Sequence, residues 1–193
     1  MKVLVVGNGG REHALLWRLA SDSPGADFFI TRGSPGTAPL ARSLDVSPTD
    51  VGAVADAVDS LGINLTVVGP EVPLAAGLAD RLIAGKRMVF GPAARAAQIE
   101  SSKVFAKELM RSIGVPTAAF EVFRDRQPAA DFINAGPRGC VVKADGLAAG
   151  KGAIVCRRRE DALAAVEKIM GERAFGRAGD AVVVEELMVG EEL

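Results

Sequence analysis

The sequence predicts an α/β protein whose first domain contains a parallel sheet and whose second, smaller domain is α+β. Short apolar runs alternate with helical patterns up to about residue 92, an order typical of parallel sheets with right-handed crossovers. Further along, the apolar runs CVVKADG (140–146) and GAIVC (152–156) are joined by a short glycine-rich loop. That loop is too short for a helical crossover, so we expect these two strands to pair antiparallel.

The first domain is expected to contain four strands and three helices. The apolar runs VLVV, DFFI, NLTVVGPE and RMVFGP predict strands at 3–6, 27–30, 64–71 and 87–92. Apolar residues that recur every three to four positions predict helices at 11–20, 51–61 and 74–85. Gly62 stands where the C-cap of the second helix is expected. The glycine- and proline-rich segment 31–40 predicts a loop.

The pattern changes after this domain. The segment ESSKVFAKELMRSIG (100–114) predicts a long helix that ends at Gly114 and Pro116. Later strands are predicted at 117–123, 140–146, 152–156 and 181–187, with helices near 128–135 and 160–170. We therefore expect a first domain over 1–92, a helical linker over 93–119 and a small domain over 120–193.

Composition excludes several classes of partner. The 193 residues carry 23 basic and 24 acidic side chains, so no charge excess favours nucleic acid or an anionic membrane. No apolar run approaches the roughly 20 residues of a membrane span, and VLVV is shorter than a signal-peptide core of about 7–15 residues. Cys140 and Cys156 lie in apolar runs, so we expect buried reduced thiols and a cytoplasmic protein. With these cysteines and His13 alone, no zinc site is expected.

The turn NGGREHA (8–14) follows the first strand, where nucleotide-binding units hold phosphate. A dinucleotide fingerprint requires a third glycine at the position of Glu12, and a carboxylate there would face the pyrophosphate. Thr31 and Arg32 stand where a NAD-binding unit carries an acidic residue. The residues therefore disfavour a dinucleotide. They leave two alternatives open, a smaller phosphorylated ligand on the backbone of Asn8–Arg11 or a simple tight turn.

A second conspicuous loop, GPEVPL (69–74), follows the third predicted strand. Open parallel sheets bind ligands at the carboxyl ends of their strands, where Glu71 would meet a ligand amine or hydroxyl. The alternative is that this carboxylate only interacts with the dipole of the following helix.

The strongest signal is VVKADGLAAGKGAIV (141–155). It places Lys143 on a strand and Lys151 near the tip of a loop with Gly146, Gly150 and Gly152. Glycines let a backbone close over phosphate oxygens, and lysines neutralise phosphate charge. It is not a Walker A loop, because GKGA leads into a strand. Two lysines and three glycines favour a phosphate-binding lid over an ordinary flexible hairpin.

A glutamate-rich segment, VEELMVGEE (184–192), follows the last predicted strand. Glu185, Glu186 and Leu187 offer carboxylate and backbone groups to an adenine edge, and Glu192 offers an acceptor to ribose hydroxyls. Taken alone, these glutamates are better explained as a solvated face.

Six motifs in order resemble the phosphoribosylamine–glycine ligase family, ATP-grasp enzymes of purine synthesis. They are NGGREHA, GPEVPL, SSKVFAK (101–107), KADGLAAGKG (143–152), AFGRAG (174–179) and VEELMVGEE. The resemblance covers the whole chain, and KADGLAAGKG separates this family from most other ATP-grasp ligases. It implies a Rossmann-like pre-ATP-grasp domain followed by the small lid subdomain of the ATP-grasp fold.

The resemblance also implies roles for particular residues. Those implied to bind ATP are Lys103, Lys143, Gly146, Gly150, Lys151, Gly152, Glu185, Glu186, Leu187 and Glu192. Those implied to face 5-phosphoribosylamine are Asn8, Gly9, Gly10, Arg11, Glu12 and Glu71. The turn of the first domain would then be a sugar-phosphate site.

In the family, ATP phosphorylates the carboxylate of glycine, and the amine of 5-phosphoribosylamine attacks the acyl phosphate. The implied cofactors are ATP with magnesium or manganese, without NAD or zinc. Family members continue into a larger ATP-grasp subdomain that carries the metal ligands, whereas this sequence ends at Leu193. We therefore expect no metal ligands within these residues, and a family member that is inactive alone.

Three alternatives stay open beside this hypothesis. The chain is a fragment that binds nucleotide or sugar phosphate without chemistry, or a different ATP-grasp carboxylate–amine ligase, against which NGGREHA and GPEVPL argue. In the third alternative, the chain is one half of an assembly, which a separate C-terminal polypeptide completes. A NAD-dependent enzyme ranks last, because of Glu12 and Thr31.

Overall fold

A computed structural model of the protein describes residues 1–148 and 150–191. The chain divides into two compact units, Met1–Ala97 and Gln98–Leu193. In the part of the chain that is described, no helix is both long and apolar enough to cross a membrane.

The first unit is built on a five-stranded parallel sheet. Its strands are β1 (Lys2–Val6), β2 (Asp27–Thr31), β3 (Arg42–Leu44), β4 (Leu65–Val68) and β5 (Met88–Phe90). Its helices are α1 (Gly10–Asp22), α2 (Val51–Leu61), α3 (Glu71–Ala75) and α4 (Leu78–Ala84). The strand order is β3-β2-β1-β4-β5, and every neighbouring pair is parallel. The α/β class and the parallel sheet predicted from the sequence are confirmed.

Burial explains the central strand, and capping explains the helix ends. Residues 3–6 of β1 are at most 2% exposed, as expected for a parallel strand covered on both faces. Asp50 caps the start of α2, because its carboxylate accepts a hydrogen bond from the N–H of Ala53 at 3.0 Å. The helix ends at Gly62 in the left-handed conformation (φ 62°), which confirms the predicted C-cap.

The structure corrects three predictions for this unit. Strand β3 was not predicted; it is a three-residue edge strand without a buried apolar residue. The helix predicted over 74–85 is two helices, separated at Gly77, which has a φ of 86°. The strand predicted over 64–71 ends at Val68, so that Glu71 is the first residue of α3.

The second unit contains a four-stranded antiparallel sheet. Its strands are β6 (Phe120–Phe123), β7 (Cys140–Ala144), β8 (Ala153–Cys156) and β9 (Val182–Glu186), in the order β6-β9-β7-β8. The helices α7 (Arg126–Ala135) and α8 (Arg159–Val166), with a π-helical turn at Glu167–Gly171, supply side chains to one core cluster with three of these strands. The predicted antiparallel pairing of β7 with β8 is confirmed, with Lys143 opposite Ala153. Cys140 and Cys156 are buried free thiols in opposing positions.

The predicted helix over 100–114 is interrupted. Helix α5 (Ala94–Ser101) ends one residue before Ser102, and α6 (Lys103–Ile113) begins one residue after it. Ser102 has an extended backbone and caps α6, because its hydroxyl accepts a hydrogen bond from the N–H of Phe105 at 3.1 Å. Gly114, with a φ of 72°, ends the helix as predicted.

Candidate functional site

The glycine turn after β1 is fixed by the end of the neighbouring strand. The Thr31 hydroxyl accepts a hydrogen bond from the N–H of Gly7 at 2.8 Å and donates one to the Gly7 carbonyl at 3.2 Å. Thr31 is fully buried. The residue in the place of a dinucleotide-binding carboxylate therefore holds the turn in place.

Glu12 is enclosed beneath this turn. It is 4% exposed, and its carboxylate accepts a hydrogen bond from the N–H of Gly9 at 2.8 Å. A Cβ added at Gly7 or at Gly69 would lie 2.7 Å from Glu12 Cδ, so glycines on two strand ends make room for this side chain. The carboxylate occupies a slot between two strand ends and does not line the open side of the turn. A direct contact between Glu12 and a ligand stays a prediction.

Arg11 links the two sequence motifs of the first unit. Its Nε lies 2.9 Å from Glu12 Oε1, and its Nη2 lies 3.4 Å from Glu71 Oε2. The hydrogen bond to Glu12 is the main cause that raises the pKa of Arg11 above its ordinary value. The side chain is 60% exposed, so the guanidinium is anchored but open to solvent. The structure thus brings Arg11, Glu12 and Glu71 together at the carboxyl end of the sheet.

Backbone donors lie in the same place. Asn8, Gly9 and Gly10 are exposed, and α1 begins at Gly10. The first N–H groups of a helix have no partners inside the helix and carry partial positive charge. The N–H of Gly9 already donates to Glu12, and Arg11 is paired with two carboxylates. The groups that face solvent for an anion are therefore the remaining N–H groups at the start of α1 and the exposed side of the Arg11 guanidinium.

In the second unit, a buried carboxylate lies between two lysines. Glu185 on β9 is 4% exposed. Its Oε2 lies 2.7 Å from Lys143 Nζ on β7, and its Oε1 lies 3.2 Å from Lys107 Nζ on α6. The cluster carries one negative and two positive charges. It therefore has a surplus positive charge next to the glycine-rich loop that follows β7.

The start of that loop is tied to the beginning of α6. The Asp145 carboxylate accepts hydrogen bonds from the Ser102 hydroxyl at 3.0 Å and from the N–H of Val104 at 3.1 Å. Lys103 Nζ donates to the Gly146 carbonyl at 2.9 Å. A predicted phosphate-binding lysine is thus held beside the loop.

Between Gly146 and β8, the structure describes residues 147–148 and 150–152. Gly146 and Gly150 have φ values of 103° and 77°, which L side chains rarely adopt. Lys151 is exposed, and its backbone N–H donates a hydrogen bond to the Ala148 carbonyl at 2.9 Å. Gly152 accepts a hydrogen bond from the N–H of Ala144 at 2.8 Å. The lid geometry expected from the glycines is therefore compatible with this backbone.

The glutamate segment after β9 is attached to the start of β6. The N–H of Glu186 donates to the Ala119 carbonyl at 2.9 Å, and Glu186 Oε1 accepts from the N–H of Ala119 at 3.0 Å. Leu187 is half-buried. Beside these residues lies a cavity of about 350 Å³, whose lining includes Phe120, Phe132, Pro137, Cys140 and Val184. Glu192, for which a ribose contact is predicted, lies outside the described residues.

Several residues of the site in the second unit had not been predicted. Lys107, Ser102 and Asp145 had no predicted role, although all three lie in motifs that were singled out. The signal for Lys107 is its position four residues after Lys103, which places both lysines on one face of a helix. Nothing local identifies the partnership of Lys107 with Glu185.

Residues 1–148 and 150–191 contain no group of three or more acidic, histidine or cysteine side chains placed to hold a metal ion. The described donor set does not fit a magnesium site, so no metal-dependent step is derived for these residues.

Comparison with known proteins assigns the family. The profile of the phosphoribosylglycinamide synthetase N domain matches residues 1–100, and the profile of the ATP-grasp (A) domain of the same synthetase matches residues 101–193. The chain belongs to the phosphoribosylglycinamide synthetase family. The family resemblance inferred from the six motifs is therefore confirmed.

Individual relatives agree with this assignment. The chain is 49% identical over 195 residues to the trifunctional purine biosynthetic protein adenosine-3 of Gallus gallus, a match that covers 100% of this chain and 19% of that protein. It is 45% identical over 196 residues to the phosphoribosylamine–glycine ligase of Chlorobaculum tepidum, covering 100% of this chain and 46% of the ligase. The chain thus spans about half the length of this bacterial relative of the synthetase family.

A solved structure of the family shows the same fold. The crystal structure of the phosphoribosylamine–glycine ligase of Thermotoga maritima matches with a TM-score of 0.76 and 26% identity. The match covers 99% of this chain and 45% of that one. A Rossmann-like domain followed by part of an ATP-grasp domain is therefore the architecture of this family member.

Proposed function

We propose that this chain supplies the sugar-phosphate site and part of the ATP site of a phosphoribosylamine–glycine ligase. The reaction would join glycine to 5-phosphoribosylamine at the expense of ATP, with glycinamide ribonucleotide, ADP and phosphate as products. The observation that carries the proposal is the cationic cluster of Lys143, Lys107 and Glu185 beside the glycine-rich loop. Its surplus positive charge suits a polyphosphate.

The second unit would hold ATP. Lys103 and Lys143 would contact phosphate oxygens, and the loop from Gly146 to Gly152, with Lys151, would close over them. The positive φ values of Gly146 and Gly150 support this role, since they let the backbone come close to a ligand. The backbone of Glu185, together with Glu186 and Leu187, would meet adenine, since the Glu185 carboxylate is paired with the two lysines. Glu192 would meet the ribose.

The first unit would hold 5-phosphoribosylamine. Arg11 and the exposed backbone of residues 8–10 would receive its phosphate, and Glu71 would accept a hydrogen bond from its amine or a ribose hydroxyl. Support comes from the geometry of Arg11, which two carboxylates orient without covering it. Glu12 would act mainly by fixing Gly9 and Arg11, because its carboxylate is enclosed.

The chemistry would be positioning and charge neutralisation. A glycine carboxylate oxygen would attack the γ-phosphorus of ATP, which breaks the bond to ADP and forms an acyl phosphate. The amine of 5-phosphoribosylamine would then attack the acyl carbon, and phosphate would leave with the bonding electrons. The lysines would offset negative charge that builds up on the phosphoryl oxygens.

A chimera tests the proposed reaction. This chain replaces the matching region of the Chlorobaculum tepidum ligase, and ADP formation is measured with glycine and phosphoribosylamine together and with each omitted. We expect ADP only when both are present, and its loss in the matched chimera with Lys143→Ala. ADP formation that does not depend on phosphoribosylamine, or activity with a different amine, would contradict the proposal.

We expect residues 1–193 assayed alone to bind ATP without forming product, because the resemblance implies that the family's metal ligands lie in the larger ATP-grasp subdomain. We expect a separate polypeptide with the remaining family sequence to restore turnover when it is added. Product formation by residues 1–193 alone would overturn the first expectation.

A further inference from the structure

Lys107 is a partly buried lysine of the cationic cluster, and the proposed ATP site assigns it no direct contact with the nucleotide. It is 12% exposed and lies 3.2 Å from Glu185 Oε1. This contact is an ion pair without a hydrogen bond. The ammonium donates a hydrogen bond to the Thr117 hydroxyl at 2.6 Å and lies 5.5 Å from the centre of the Phe120 ring. Lys107 lies on α6, and these contacts hold its side chain in place.

Lys143, the other partner of Glu185, is less confined. Its side chain is 27% exposed, against 12% for Lys107 and 4% for Glu185. It lies on β7, the strand that leads directly into the glycine-rich loop. Of the two lysines, Lys143 is therefore the one placed to exchange the carboxylate for a phosphate.

We propose that Lys107 is a positioning residue that remains as the counter-ion of Glu185 when Lys143 turns to ATP. This inference rests on the nucleotide site proposed above. A carboxylate as enclosed as Glu185 is costly to leave without a charged partner. With Lys107 present, Lys143 leaves Glu185 still paired, so the full charge of Lys143 is available to the phosphates.

The other groups around Glu185 do not replace Lys107. On α6, Arg111 lies over the Phe120 ring, with its guanidinium carbon 4.6 Å from the ring centre. On β6, Phe120 is the residue opposite Glu185, and on β7 the opposite residue is Val141. Lys103 donates to the Gly146 carbonyl. Within the described residues, the ion pairs of Glu185 are those with Lys107 and Lys143.

Without Lys107, we expect the ATP affinity to depend on whether the Glu185 carboxylate takes up a proton. In a Lys107→Met variant, Lys143 can leave Glu185 only if the carboxylate stays unpaired or takes up a proton. We expect the ATP affinity to fall about 10- to 100-fold at about pH 7.5. The ratio of variant to wild-type dissociation constants rises with pH, by up to about tenfold per pH unit, because the variant complex holds one more proton.

Isothermal titration calorimetry with ATP and magnesium tests this proposal. Titrations of the full chain at about pH 6.5 and about pH 8, in buffers of different ionisation enthalpy, give both the affinity and the protons taken up. We expect Lys107→Met to bind weakly and take up close to one proton more than wild type. Lys107→Arg restores both values, because the guanidinium keeps the counter-charge.

A double-mutant cycle excludes a merely structural effect. With Glu185→Gln, no charge needs a counter-ion, so adding Lys107→Met changes the dissociation constant less than about twofold. Equal affinity and proton uptake in wild type and Lys107→Met would overturn the proposal. An undiminished cost of Lys107→Met in the Glu185→Gln background would overturn it as well. If Lys107→Met fails to fold, Lys107→Gln takes its place with the same expected results.

The wild-type titration separates two failures. If wild type does not bind ATP, the proposed nucleotide site is wrong, and the role of Lys107 fails with it. If wild type binds ATP and the Lys107 variants bind equally well, only the role of Lys107 is wrong.

Discussion

Gly69→Ala tests whether the slot around Glu12 holds the first unit together. A Cβ at Gly69 would lie 2.7 Å from Glu12 Cδ, closer than real contacts allow. Gly69 does not have a positive φ, whereas Gly7 has a φ of 122°. The change at Gly69 therefore tests space alone, without backbone strain.

The magnitude follows from what the displaced carboxylate loses. Glu12 accepts a charge-assisted hydrogen bond from the N–H of Gly9 at 2.8 Å and is 4% exposed. A hydrogen bond to a charged group contributes about 1.5–3 kcal/mol, part of which Glu12 regains in water. We expect Gly69→Ala to lower the free energy of unfolding by about 2 kcal/mol.

Gly10→Ala is the matched control, because a Cβ there meets no atom within 4 Å. It lies at the start of α1, where alanine stabilises a helix by up to about 1 kcal/mol relative to glycine. The assay is urea unfolding followed by far-UV circular dichroism and by fluorescence of Trp17. This residue is the one tryptophan of the sequence and lies on α1, so it reports on the first unit.

A second mutation isolates the contribution of the slot. In Glu12→Ala protein the slot is empty, so we expect Gly69→Ala to cost less than about 0.5 kcal/mol there. If Gly69→Ala costs the same with and without Glu12, or is as harmless as Gly10→Ala, the proposed role of the slot is wrong.

Two further predictions concern the second unit. Ser102→Ala removes the acceptor for the N–H of Phe105 and the donor to Asp145, so it should lower the free energy of unfolding, measured in urea, by about 1 kcal/mol. The control Ser112→Ala, at an exposed residue, should change this free energy by less than about 0.5 kcal/mol. Equal effects of the two substitutions would contradict the role of Ser102 as a helix cap. Burial raises the pKa of the Cys156 thiol from 9.0 to about 11. The folded protein therefore holds this proton more tightly than the unfolded chain, so the contribution to stability is complete below about pH 9 and is lost as the pH rises towards 11. At about pH 8, Cys156 in the native protein should react with a thiol reagent about 100-fold more slowly than Cys156 in urea-unfolded protein, and equal rates at this residue would contradict the raised pKa.

Much of the fold could be predicted because its signals are local. The apolar run of β1, the cap at Gly62 and the short connection between β7 and β8 each depend on residues close in sequence. The same holds for the glycine-rich loop, where residue types alone indicate phosphate chemistry. The strand, the cap and the antiparallel pairing were predicted correctly. The phosphate-binding role of the loop remains a proposal.

The features that were missed depend on distant residues or on single caps. Strand β3 has three residues and an exposed, mainly polar sequence, and it exists because it pairs with β2. The break at Ser102 depends on one hydroxyl and on Asp145, 43 residues further along. The slot for Glu12 lies against Gly69, and the partner of Glu185 on α6 is Lys107. No periodicity in the sequence reports such partnerships.

The proposed ATP site requires that the second unit bind the phosphates of ATP through its lysines and glycine-rich loop. The most direct test is isothermal titration of the 193-residue chain with ATP and magnesium, compared with a Lys143→Ala, Lys151→Ala double variant. We predict saturable micromolar binding by the wild type and its loss in a variant that keeps the wild-type circular dichroism. Absence of binding by the wild type, or equal binding by the variant, would contradict the proposed site.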